Sequence, residues 1–137
     1  MSHDPVLLAD TRAWMARAAS DLGAGAHDLT AEDPFCEDAV FHAQQAAEKA
    51  MKAFLVWHDT PFRKTHDLAE LGRQCADLEP TLAPLLQRAA PLSEYAWKFR
   101  YPGEQDESTR EEAEEALALA REVYEAVLAR LPEDAHP

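Results

Sequence analysis

Apolar residues recur every three or four positions through most of this chain, and period-two alternation is missing. That spacing belongs to one face of a helix. In the first segment Thr11, Trp14, Met15, Ala18, Leu22, Ala26 and Leu29 form such a stripe, with Gly23 and Gly25 weakening its second half. The clearest helix runs from about Phe35 to Trp57, with Pro34 well placed near its start. At about 100° per residue, Val40, Ala43, Ala46, Ala47, Ala50, Met51, Phe54 and Trp57 fall on one side of it. His42, Gln45, Glu48, Lys49 and Lys52 collect on the other, in an arc of about 120°.

Asp67 followed by Glu70 has the form of a capping box, so a third helix is expected from there to about Leu78. The stretch from Pro80 to Pro91 reads as a shorter helix that Pro91 breaks or kinks. A helical piece carrying Tyr95 and Trp97 then leads to Arg100, PGEQDES is a loop, and a last helix spans about Ser108 to Leu131. Its first turns hold Glu111, Glu112, Glu114 and Glu115, at the positive end of the helix dipole. The pattern predicts an all-α, up-and-down bundle of four long helices plus a short extra one. One domain is expected over residues 1–137, with a core at about 11–131 and flexible termini.

Apolar residues make up 47% of the 137 positions and there are only 4 glycines, which excludes a disordered or linker-rich chain. The net charge of −13 argues against non-specific binding to phosphate backbones. It is unevenly spread: from His42 to Tyr101 there are 8 Lys/Arg against 7 Asp/Glu, while the two ends carry 5 against 19. The middle is where an anion would be accepted. Cys36 and Cys75 sit in apolar helical contexts without CxxC spacing, so buried free thiols in a reducing cytoplasm are expected. No apolar run has the length of a membrane span, and no basic flank leads into an apolar stretch at the N-terminus.

Phosphate-binding glycine loops, HExxH, nucleophile elbows and paired-cysteine zinc patterns are absent from the sequence. Three clusters remain. His42, Gln45, Lys49 and Lys52 present donors and positive charge, though any amphipathic helix shows a solvated charged face. Arg63, Lys64, Thr65 and His66 precede a helix N-terminus, where free N–H groups favour anions, or form an exposed basic loop. Tyr95, Lys98, Arg100 and Tyr101 combine rings with cations able to stack a base and hold a phosphate, or else pack as a helix end. The acidic run from Glu104 to Glu115 reads as a solvated helix start, because EF-hand spacing is missing. No metal and no cofactor is expected.

The stretch FHAQQAAEKAMKAFLVWH, then KTHDLAEL, YAWKFRYPG and EEAEEALALAREVYEAVL, resembles the HEPN domain of prokaryotes over about Trp14 to Leu131. The resemblance implies a helical bundle that dimerises and associates with nucleotides or RNA. It also implies a companion role beside a minimal nucleotidyltransferase, often as a toxin–antitoxin pair. Nuclease members carry an Arg followed after four to six residues by His. Arg100 fits the arginine position, but the permitted histidine positions hold Gln105, Asp106 and Glu107. Arg130 and His136 meet the bare spacing across Pro132, past the last helix, as an accidental match.

Metal-free RNA cleavage needs a proton shuttle, which neither Gln nor Arg supplies. The expectation is therefore a non-catalytic, nucleotide- or RNA-interacting module. Its ligand contacts would come from His42, Gln45, Lys49, Lys52, Lys64, His66, Tyr95, Arg100 and Tyr101. The alternatives are a ribonuclease using Arg100 with His66 or His42, and a helical assembly module without a ligand.

Overall fold

In the computed structural model the described residues are 4–96 and 108–137. They form five α-helices: α1 (Pro5–Asp28), α2 (Cys36–Trp57), α3 (Leu68–Leu78), α4 (Ala83–Ala89) and α5 (Arg110–Ala129). No strand occurs among the described residues, so the protein is an all-α bundle.

The first helix starts earlier than its apolar stripe. Asp4 accepts a hydrogen bond from the Val6 amide at 2.7 Å and Pro5 occupies the first helical position, a start that costs no backbone donor. The helix then runs unbroken through Gly23 and Gly25. Gly25 permits a close approach: a Cβ there would lie 2.5 Å from Leu117 and 3.4 Å from the Ala39 carbonyl.

The central element is α2, packed against both α1 and α5. Ala39, Ala43, Ala46, Ala47, Ala50 and Ala53 are fully buried along it, and such small side chains let neighbouring helices come near. Met15, Met51, Phe54, Leu55, Leu71 and Val123 fill the space between helices. Trp57, expected on the buried side, is half-buried and packs against the edge of this core.

The expected short helix from Pro80 to Pro91 is divided in three. A 3-10 turn at Pro80–Leu82 leads into α4, and a second 3-10 segment runs from Ala90 to Ala96. Pro91 accounts for the second division, having no N–H for the α-helical ladder. Leu68 N donates to Ser93 Oγ at 2.8 Å, which ties this segment to the start of α3. Beyond Leu131 the chain stays packed: Ala135 is buried, and Arg12 of α1 donates to the Asp134 carbonyl. No helix among the described residues is long and apolar enough to cross a membrane.

Candidate functional site

The polar side of α2 is only partly a solvated face. Gln44 and Glu48 are buried at 0% and 3% exposure, and Lys52 at 8%. They belong to a connected seam between α1, α2 and the segment before α3. Lys52 Nζ donates to Glu48 Oε2 at 2.9 Å, Gln44 Nε2 to Glu48 Oε1 at 2.9 Å, and His66 Nδ1 meets the same Oε1 at 2.7 Å. Burial pushes the Glu48 carboxyl up, but the hydrogen bonds from Lys52, Gln44 and His66 outweigh it and hold Glu48 below its ordinary range. Lys52 is further enclosed by two rings, with Trp14 at 5.6 Å and Phe62 at 5.8 Å from its ammonium. Lys52, expected at the ligand surface, thus stands behind it.

A second carboxylate organises the other half of the seam. Asp21, buried on α1, receives Lys49 Nζ at 2.5 Å on one oxygen and faces His42 Nδ1 at 2.8 Å on the other. His42 Nε2 lies 3.4 Å from Asp38, one turn back on α2. Gln45 donates to the Gln44 side chain at 2.6 Å. His42, Gln45 and Lys49 are half-buried. The structure therefore brings His42, Gln45, Lys49, Lys52 and His66 together through Glu48, which the polar arc of α2 contains, and through Asp21 and Gln44, which the helix pattern alone does not single out.

His66 is oriented by its partner. With Glu48 ionised, Nδ1 carries the donated proton, which leaves Nε2 of the neutral ring as an acceptor. The side chain is 48% exposed, so the ring reaches the surface. Asp67 behind it caps α3, accepting from the Ala69 and Glu70 amides at 2.9 and 3.4 Å. The expected capping box is half-formed, because the Glu70 carboxylate turns to Arg63 at 2.8 Å. Lys64 is exposed.

Tyr95 lies in the 3-10 segment, half-buried against the core beside α5. Burial pushes its phenol up, helped by Glu112, Glu94 and Glu115. Arg100 and Tyr101, with Trp97, Lys98 and the positions Gln105, Asp106 and Glu107, lie outside the described residues. Arg130 and His136 do not form a catalytic pair. Arg130 donates to the Ala126 carbonyl and to Thr81, while His136 Nε2 reaches the Leu128 and Leu131 carbonyls at 2.9 and 3.1 Å, closing the end of α5.

Where α1 turns into α2, Asp28, Asp38 and His42 bring one potential metal-ligand atom each within 4.8 Å of one another. Oδ2 of Asp28 is buried without a hydrogen-bond donor. Burial and then the neighbouring Asp38 raise the Asp28 carboxyl to about 6, since a proton on one acid turns repulsion into a hydrogen bond. Two clefts flank the site. The larger, about 600 Å³, lies between Pro61–Arg63 and α3 and borders the seam at Phe62. The other, about 480 Å³, runs between α1 and α2 beside Glu48 and Lys49.

Residues 11–131 match the HEPN domain family. With most of its length covered by that match, the chain belongs to the HEPN domain family. Comparison with curated proteins and with solved structures gave no match.

Proposed function

We propose that this HEPN domain is a nucleotide- or RNA-interacting module that binds without cleaving. One observation carries the reading: Lys49, His42 and His66 are held at the edge of a polar seam by the buried carboxylates of Asp21 and Glu48. Ordering such groups in advance lowers the entropy cost of gripping a ligand. His42, Gln45, Lys49, Lys64 and His66 supply the contacts, joined by Tyr95, Arg100 and Tyr101. The module acts as a cytoplasmic homodimer, in company with a minimal nucleotidyltransferase of the toxin–antitoxin type, and needs no cofactor.

Calorimetric titration with nucleotides, short RNAs and a minimal nucleotidyltransferase checks this. Binding of at least one is expected, and it should weaken about tenfold or more when Lys49 and His66 are both replaced by Ala. Absence of binding to every one of them sinks the reading.

A second reading has one specific support. His66, half-exposed and oriented by a buried acid, has the arrangement of a general base. A ribonuclease built on it, with Arg100 as anion contact, would cleave RNA without metal and lose that activity in His66→Ala and Arg100→Ala. RNA left intact by a stoichiometric excess of the protein excludes it.

A further inference from the structure

The groove of about 480 Å³ between α1 and α2 falls within the roughly 300–1,000 Å³ of small-ligand sites. Its α1 wall is made by Asp10, Ala13, Trp14 and Arg17, a stripe at helical spacing, and its α2 wall by Glu48 and Lys49. Three properties give it a direction. Arg17, exposed and one turn beyond Trp14, has no hydrogen-bond or ion-pair partner among the described residues, so its guanidinium is available to an anion. Lys49 uses one of its three donors on Asp21 and keeps the others. At the opposite end, seven residues earlier and about 10 Å along the helix axis, Asp10 offers only acceptors.

Between the two ends lies the Trp14 indole. Lys52 holds one part of it, 5.6 Å from the ring centroid and itself fixed by Glu48. The ring is thus a platform that needs little ordering before something stacks on it. Ala13 keeps the groove open, because any long side chain there would project into it.

We propose that this groove binds a single nucleoside monophosphate whose base carries an exocyclic amine, with phosphate at Arg17 and Lys49, base against Trp14 and amine toward Asp10. A cation, a flat ring and a lone acceptor in that order match the polarity of such a molecule. The surroundings also limit the charge it takes. Asp21 and Glu48 stand beside Lys49, so one phosphate is accommodated and a polyanion is opposed. The inference rests on the reading that this domain engages nucleotides, and it adds a location and a ligand class that the seam does not specify.

Titration calorimetry on the full chain, with adenosine monophosphate, inosine monophosphate and a short single-stranded oligoadenylate, tests it. The adenine nucleotide should bind and the inosine nucleotide, lacking the amine, should bind at least about fivefold more weakly. Oligoadenylate should show no gain per chain beyond its 5′-terminal unit. Ala13→Leu, which fills the groove without removing a polar group, should abolish binding. Arg17→Ala should weaken it about tenfold, the loss of one charge-assisted contact. Asp10→Ala should erase the preference for the amine. Each variant is first checked for wild-type helicity and melting temperature, and all three positions are exposed, so folding is retained. Adenosine monophosphate binding that is unchanged in Ala13→Leu and Arg17→Ala overturns the groove while leaving nucleotide engagement standing. Binding of RNA alone, insensitive to Ala13→Leu, does the same. No binding of any nucleotide or RNA overturns this inference together with the reading on which it rests.

Discussion

Glu48 shows how a single buried acid sets the properties of its neighbours. Lys52 depends on it for a counter-charge, and His66 for its tautomer. Glu48→Gln leaves the Lys52 ammonium buried without that charge, so a loss of about 3 kcal/mol is expected in urea denaturation. The folded value of Glu48 lies below its ordinary 4.5, so its contribution is full above that pH and fades as pH falls through the lower folded value. The acid side of the stability profile should therefore be flatter in the Gln variant. Asp28 has the opposite sign. Its folded value of about 6 exceeds the ordinary 3.8, so what the protonated acid contributes is complete below the lower value and lost as pH rises through the higher. Asp28→Asn cannot ionise and should gain melting temperature over the wild type between those two values, keeping the gain above them. A difference that stays constant across the whole range would contradict the assignment.

At the scale of elements, the start of α3 depends on two side chains from different places. Asp67 caps it locally and Ser93 reaches its first amide from the 3-10 segment. Asp67→Ala should cost about 1 kcal/mol in thermal or chemical denaturation. Ser93→Ala should cost a similar amount, because it strands the buried Leu68 amide. The helices were legible in the sequence because periodicity is a local property: α2, α3 and α5 lie close to where the apolar stripes place them. The start of α1 was missed although Asp4 and Pro5 carry a cap and a first-turn proline, because the apolar stripe only becomes regular later. The division at Pro91 was legible as a break, but its 3-10 continuation depends on packing against α2 and α3. The seam was half-legible. His42, Glu48, Lys49 and His66 stand out by type or by place on the polar arc, whereas Asp21 and Gln44 lie next to or within apolar stripes and declare themselves only through their partners, Lys49 and His42 for Asp21 and Glu48 and Gln45 for Gln44. Gln44, four residues from Val40 and seven from Met51, was a polar residue in a core row, and that was the available signal.

Across the whole molecule, charge and structure are separated. The acids concentrate in α5, in the connection from α1 to α2 and around the chain ends, while α1, α2 and the segment after α2 hold near-balance. A chain at −13 repels itself in the compact state, so melting temperature should rise with sodium chloride at neutral pH. Ligand binding should move the other way, since added salt screens the contact between one phosphate and the cations of the groove. Thermal melts and titrations over the same salt series would separate these two responses. If binding instead strengthened with salt, anion recognition would not be its basis.

Cys36 and Cys75 are both buried and unpaired, one in the first turn of α2 and the other on α3. Burial pushes the Cys75 thiol up to about 12 and, followed by Glu37, raises that of Cys36, so neither presents a thiolate at neutral pH. The folded molecule should therefore react slowly with alkylating reagents. Each sulfur is therefore a clock: its rate of modification counts the moments when its own part of the bundle opens, and a ligand clamping α1 to α2 should slow Cys36 more than Cys75.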